Sequence, residues 1–269
     1  MKIAFIGAGN LASALMGGLI RRGAAPHDLL AIDPDESKRQ AAAQELGVAT
    51  AERLASAEGV DAIVLAVKPQ ILEKVCAALA PLLKRQLVIS VAAGVRIADI
   101  SRWLGGYAAI VRSMPNTPAL IGMGMTGLHA APDVTPDMRE QANAVMSSVG
   151  ATLWVEHEAQ LDAVTAVSGS GPAYVFYFIE SLIAAGESAG LDAAQARTLA
   201  LETFFGASAL ARQSDETAAV LRERVTSKGG TTAAALASFE QSGIKEAIGR
   251  GVRAAQARSD ELARELGAQ

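Results

Sequence analysis

An α/β fold that gives way to an all-helical domain is what this 269-residue sequence predicts. Three observations carry the prediction. Short apolar runs alternate with amphipathic helical patterns through the first half. A glycine-rich loop directly follows the first apolar run. Past residue 156 helical patterns continue to the end with no further strand-like run. A chain that is 51% hydrophobic and 19% charged is too apolar to be disordered, and its length suits one to two domains with a real core. Much of the apolar content is alanine, which favours helix. Lys plus Arg is 24 and Asp plus Glu is 28, a net charge of −4, which excludes a basic nucleic-acid-binding surface.

Residues 3–6 read as a short buried strand. The helix after it carries Leu11, Leu15 and Leu19 at four-residue spacing, one face of a helix. A second strand covers 29–32, and a helix over 36–46 stops at Gly47. Residues 62–67 form a third strand, followed by a helix marked by Ile71, Val75, Leu79 and Leu82. Fourth and fifth strands cover 87–91 and 108–111. Strands alternating with helices predict a parallel sheet wrapped by helices. Beyond it, residues 174–190, 193–212, 217–224, 231–242 and 244–266 all read as helix. The boundary is placed at residue 157, dividing the chain into 1–157 and 158–269.

The single cysteine, Cys76, lies in an apolar helical stretch and reads as a small core residue. His27, His129 and His157 are scattered without metal-ligand spacing, so no metal is expected. The N-terminal run is interrupted by Gly7, Gly9 and Asn10 and reads as a strand turning into a helix, not as a signal peptide. The uncharged stretches 113–132 and 163–179 are broken by prolines and by Ser-Gly-Ser-Gly-Pro, which excludes uninterrupted spanning helices. A soluble, cytoplasmic protein is the expectation.

Gly7-Ala8-Gly9-Asn10-Leu11-Ala12 fits G-x-G-x-x-G/A between a strand and a helix. The first glycine permits the tight turn, the second lets a pyrophosphate approach the backbone, and Ala12 is small enough for helix–strand packing. The helix start offers free N–H groups to the phosphates. A dinucleotide is the predicted ligand. Asp33 ends the second strand, where an acid takes the ribose hydroxyls of NAD; Lys38 and Arg39 are the alternative, as partners of a 2′-phosphate. The loops Ala66-Val67-Lys68-Pro69 and Val91-Ala92-Ala93-Gly94 fall at the carboxyl ends of strands, where ligands bind in such sheets.

Three further loops are unusual for pure architecture. They are Arg112-Ser113-Met114-Pro115-Asn116-Thr117-Pro118, Val167-Ser168-Gly169-Ser170-Gly171-Pro172-Ala173-Tyr174 and Thr226-Ser227-Lys228-Gly229-Gly230-Thr231-Thr232. With these motifs in this order, the chain resembles the pyrroline-5-carboxylate reductase family from the first strand to the last helix. The resemblance implies an N-terminal Rossmann dinucleotide-binding domain and an all-helical dimerisation and substrate domain, in a homodimer or a ring of dimers. It implies reduction of 1-pyrroline-5-carboxylate to L-proline by NADPH, with NADH also used. It implies Thr232 as the catalytic hydroxyl. Ser168, Ser170 and Ala173 would then wall the substrate pocket, and Gly229, Gly230 and Thr231 would hold the carboxylate at a helix start. Asn116 is assigned to the cofactor with Ala66, Val67, Lys68, Pro69, Ala92, Ala93 and Gly94. Lys228 departs from the proline found in many members, and it is expected to point outward or toward the substrate carboxylate. The related β-hydroxyacid dehydrogenases use a lysine in the first long helix of the second domain; residues 174–185 contain none.

Overall fold

The computed structural model describes residues 1–268 and divides into two compact units, residues 1–170 with 254 onward, and residues 171–253. The first unit is built on an eight-stranded sheet. Its strands are β1 (Ile3–Ile6), β2 (Leu29–Ile32), β3 (Ala49–Ala51), β4 (Ala62–Leu65), β5 (Leu87–Ser90), β6 (Ile110–Met114), β7 (Gly124–Ala130) and β8 (Gly150–Trp154). The spatial order is β3-β2-β1-β4-β5-β6-β7-β8, all parallel except the β6–β7 pair. The chain therefore runs outward from β1 in one direction and returns past it to β4, leaving a crevice at the carboxyl ends of those strands.

The continuous apolar runs have a simple cause. Ile3 and Phe5 face a core shared with Leu15, Met16, Val145 and Met146, while Ala4 and Ile6 face a second core with Leu65, Leu72, Cys76 and Leu79. Both faces of each central strand are buried, so no polar residue alternates. Helices α1 (Asn10–Arg21), α2 (Glu36–Leu46), α3 (Pro69–Leu79), α4 (Ile97–Trp103) and α5 (Pro136–Ser147) link the strands, and α6 (Gln160–Val164) follows β8. Cys76 is fully buried, and burial pushes its thiol up to about 12, the behaviour of a core residue rather than a nucleophile.

Strands β3, β7 and β8 and helices α4, α5 and α6 lie outside the predicted elements, and the fifth predicted strand starts two residues and ends three residues later than expected. Strand β7 explains itself. A Cβ on Gly124 would stand 2.8 Å from Ala119 Cα, and one on Gly127 would stand 2.7 Å from Val164 Cγ1. Neighbouring segments press so closely on this strand that glycine replaces the β-branched residues that signal a strand. Strand β8 is an edge with no fully buried residue, and β3 is a three-residue edge.

The second unit holds α7 (Gly171–Ser188), α8 (Ala193–Gln213), α9 (Ala218–Arg224), α10 (Thr231–Gln241) and the start of α11 (Ile244–Gly267). All five helices match the sequence reading to within three residues. Their starts follow ordinary capping chemistry. Asp192 accepts the Gln195 N–H at 2.9 Å while the Gln195 side chain accepts the Asp192 N–H at 3.1 Å, a capping box. Among the described residues, no helix is long and apolar enough to cross a membrane.

The end of α11 is anchored to the first unit by buried charge. Arg96 Nη2 donates to Asp162 at 2.6 Å, and the other Asp162 oxygen accepts the Ser259 hydroxyl at 2.9 Å. Arg112, 1% exposed, donates to Glu158 at 3.0 Å, and the same Glu158 oxygen accepts the Ile97 N–H at 2.8 Å. Burial draws the Arg112 guanidinium below its ordinary value, and the neighbouring Glu158 opposes that fall. Asp162→Ala would strand the Ser259 hydroxyl and most of the Arg96 charge. Breaking a fully buried pair costs about 3–5 kcal/mol; the Arg96 side chain is 21% exposed, so the expected loss is nearer 2–3 kcal/mol in denaturant unfolding at fixed protein concentration. Wild-type stability in this variant would contradict the anchoring role.

Candidate functional site

The glycine-rich loop takes the form its sequence requires. Gly7 has φ +98°, and a Cβ there would stand 2.6 Å from the Ala66 carbonyl oxygen. Gly7 N–H donates to Ile32 at 2.7 Å, and Ala66 N–H donates to Ile6 at 2.8 Å, so the turn is stitched to β2 on one side and β4 on the other. A Cβ on Gly9 would meet nothing within 4 Å, which leaves open space over the turn. Helix α1 begins there without a side-chain cap, and its first internal bond runs from Ser13 N–H to Gly9. The N–H groups of Asn10, Leu11 and Ala12 precede that bond and face an open helix start, the arrangement that suits a pyrophosphate. Ala12 is buried, as the packing argument required.

At the end of β2 the Asp33 side chain is 8% exposed. One oxygen accepts the Ala8 N–H at 3.0 Å and lies 3.5 Å from Lys38 Nζ; the other accepts the Asp35 N–H at 2.9 Å. Asp35 caps α2 by accepting from the Ser37 N–H and hydroxyl, which hold its carboxyl below the usual carboxylate range. Arg39 Nη1 donates to the carbonyls of Asp33 and Pro34 at 2.8 and 2.9 Å. Its guanidinium fastens the turn, and Lys38 is the more exposed of the two cations.

The two other strand-end loops lie beside this cradle. Ala66 and Val67 follow β4 and are half-buried; Lys68 is exposed and precedes α3, which starts with Pro69, where the missing N–H costs no helix bond. Ala92 is buried and Ala93 exposed. Gly94 has φ +77°, and a Cβ on it would stand 3.3 Å from Leu266 Cδ1, so the last turns of α11 back this loop.

Asn116 joins two of the unusual loops. Its Oδ1 accepts the Met125 N–H at 2.9 Å, which fixes which end of the amide is oxygen. Its Nδ2 then donates to the carbonyl and the hydroxyl of Ser168 at 3.2 and 3.3 Å. Residues Thr165–Gly169 form a π-helical turn, closed by Ser170 N–H to the Thr165 carbonyl at 2.8 Å. A Cβ on Gly169 would stand 2.6 Å from Met114 Cε, so the Met-Pro-Asn loop and the Ser-Gly-Ser-Gly loop are in direct contact. The sequence marked both loops but carried no signal for this bridge, because it depends on an amide reaching 52 residues along the chain.

In the second unit, Ala173 is exposed in the first turn of α7. Gly229 has φ +72°, and a Cβ on Gly230 would collide with the Ser227 hydroxyl. Thr226 donates its hydroxyl to the Arg222 carbonyl at 2.6 Å. The loop thus leads into α10 with Gly230 as an extended N-cap that offers no side chain, followed by the exposed Thr231 and half-buried Thr232. Lys228 is exposed. The same unit carries an apolar groove of about 850 Å³ lined by Tyr177, Phe178, Phe204, Ile244, Ile248 and Val252. Phe205 is 62% and Phe176 65% exposed.

Comparisons with known proteins agree in both halves. Residues 158–262 match the family model for pyrroline-5-carboxylate reductase dimerisation, and residues 2–94 match the model for NADP oxidoreductase, coenzyme F420-dependent. The chain is 46% identical over 268 residues to a pyrroline-5-carboxylate reductase of Pseudomonas aeruginosa, covering 99% of this chain and 98% of that one. It is 38% identical to one of Mycobacterium tuberculosis, covering 97% and 96%. A solved pyrroline-5-carboxylate reductase from Coxiella burnetii superposes with TM-score 0.94 at 38% identity, covering 97% and 98%. One from Plasmodium falciparum, with NADP bound, does so with TM-score 0.86 at 31% identity, covering 98% of each.

Asn116→Ala would leave the Met125 N–H without an acceptor and release Ser168 from the Met-Pro-Asn loop. An unsatisfied, partly buried amide costs about 1–3 kcal/mol. The expected result is a stability loss of that size together with faster proteolysis between residues 165 and 171; unchanged stability and unchanged cleavage would contradict the bridge.

Proposed function

The chain belongs to the pyrroline-5-carboxylate reductase family, its reaction is hydride transfer to the C=N of 1-pyrroline-5-carboxylate giving L-proline, and on that premise we propose how its residues divide the work. NADPH, when bound, supplies the hydride to the imine carbon, and the ring nitrogen ends protonated. We assign the cofactor to residues 1–157, with substrate binding and dimerisation in 158–269. The observation that carries the cofactor half is the uncapped start of α1 beneath the open space at Gly9.

The N–H groups at the start of α1 hold the pyrophosphate, with Gly7, Ala8 and Gly9 forming the turn beneath it. Ala66, Val67, Lys68 and Pro69, with Ala92, Ala93 and Gly94, flank the remainder of the cofactor, and the small residues among them leave room for a flat ring. Lys38 is the cation for a 2′-phosphate, because the Arg39 guanidinium already holds two backbone carbonyls. NADH serves as a second donor. Asn116 acts by fixing the loop at Ser168 beside the cofactor strands.

For the substrate, Gly229, Gly230 and Thr231 present the open N-terminus of α10 to the carboxylate. Thr232 places its hydroxyl on the ring nitrogen, where a hydrogen bond orients the imine and gives a route for the proton. Ser168, Ser170 and Ala173 wall the pocket. None of these groups is a strong acid, so either the imine arrives already protonated and Thr232 only orients it, or the proton comes from water or the Thr232 hydroxyl. The apolar groove of the helical unit supports a homodimer built on that face, extended to a ring of dimers, working in the cytoplasm.

The direct test is an assay. Purified protein should oxidise NADPH only when pyrroline-5-carboxylate is present and should accumulate proline in equal amount; absence of proline after prolonged incubation with either NADPH or NADH would reject the reading. Thr232→Val should lower kcat/KM about tenfold to a hundredfold, the loss of one hydrogen bond of ~1–3 kcal/mol in a desolvated pocket. Cofactor affinity should hold constant. Wild-type kinetics in this variant would remove Thr232 from the mechanism.

A further inference from the structure

The Asp33 carboxylate stands where a sheet of this topology offers an acid to the ribose, yet both of its oxygens are engaged within the chain. We propose that Asp33 is a positioning residue: it clamps the Gly7–Gly9 turn to the turn after β2, and it does not read the ribose. The proposal rests on the reading of residues 1–157 as the cofactor domain and concerns which of its residues touch the cofactor.

The geometry supports this in three ways. First, the bonds run to backbone. Ala8 N–H and Asp35 N–H both donate to the carboxylate, at 3.0 and 2.9 Å, so one side chain fastens two turns that are 27 residues apart. Hydrogen bonds to an ionised group are the stronger kind. Second, the group is buried. Asp33 and Ala8 are each 6% exposed, and a buried N–H without a partner is costly. Turning the carboxylate outward to grip two ribose hydroxyls would orphan the Ala8 N–H at the centre of the phosphate-binding turn. Third, the charge is offset. Lys38 Nζ lies 3.5 Å from the oxygen that holds Ala8. A 2′-phosphate approaching this corner meets an ion pair rather than a bare anion, so an acid at the end of β2 is compatible with NADPH. The Asp33 backbone N–H donates to the Ala51 carbonyl at 3.2 Å, which pins the residue itself to the sheet edge.

A ribose reader and a clamp respond differently to substitution. A ribose reader favours NADH over NADPH, so its removal changes the ratio of the two affinities. A clamp serves both cofactors, so its removal weakens both and leaves the ratio alone. The experiment measures Kd for NADPH and NADH by fluorescence titration of the wild-type chain, Asp33→Ala and Asp33→Asn. It also measures hydrogen exchange of the Ala8 amide in the cofactor-free proteins. The expected result for Asp33→Ala is a rise of about tenfold in both Kd values, with their ratio within threefold of wild type, and Ala8 exchange at least tenfold faster. Asp33→Asn keeps one acceptor oxygen and should fall between, and it carries the same test if the alanine variant does not fold. Tighter NADPH with weaker NADH, a ratio changed tenfold or more, would overturn the proposal; so would unchanged Kd values with unchanged Ala8 exchange. If the wild-type chain binds neither nucleotide, the cofactor reading itself fails, and Ala8 exchange, measured without cofactor, still decides whether Asp33 is the clamp.

Discussion

The contact between Gly7 and the Ala66 carbonyl is the constraint on which the first unit depends. Strand β1 must turn sharply at its carboxyl end and pass directly over the end of β4, where a Cβ would lie 2.6 Å from a carbonyl oxygen at a φ of +98°. Only glycine meets both demands. Because the turn is that tight, α1 starts within three residues of β1, and its unbonded amides are left at the sheet's crevice instead of over a face. The hydrogen bonds from Gly7 to β2 and from Ala66 to β1 hold the crevice open at one width. The Asp33 carboxylate adds a third tie, through Ala8, so the turn is held by the chain's own bonds. Preorganisation of this kind saves the ordering cost at the moment of binding.

Charge does for the far end of the sheet what glycine does for the near end. Arg112 and Glu158 sit where β6 and the approach to α6 meet, and Arg96, Asp162 and Ser259 bring the last turns of α11 onto the same unit. Buried ion pairs contribute little net stability but penalise every arrangement that separates them. Here they fix where α11 ends, and Leu262 and Leu266 of that segment pack behind Gly94. The loop over residues 91–94 is thereby backed by the last turns of α11. The π-helical turn at Ser168, held by Asn116, belongs to the same construction.

Much of this was legible from the residues. The periodicity of Leu11, Leu15 and Leu19, the stop at Gly47 and the five helices after residue 170 are local signals, and local signals survive tertiary packing. The glycine motif was legible in the same way: it lies between β1 and α1, and Gly7 takes the positive φ that the turn needs. What was hidden was set by distant neighbours. Strand β7 carries no strand signal in sequence because Ala119 and Val164 press on its glycines. Nothing in sequence shows that the Asp33 oxygens accept from Ala8 and Asp35. Nor does sequence show the Asn116 bonds to Met125 and Ser168, which lie 9 and 52 residues away. In each case the residue type was informative and its partner was not.

The central claim is that the start of α1 is a finished anion cradle whose amides are open while the one beneath it is closed. Amide hydrogen exchange of the whole chain, with and without saturating NADPH, tests it most directly. The account predicts that NADPH slows exchange at Gly9, Asn10, Leu11 and Ala12, while Ala8 is already slow without it. Protection that appears elsewhere and leaves those four amides unchanged, or an Ala8 amide that becomes slow only on binding, would contradict it.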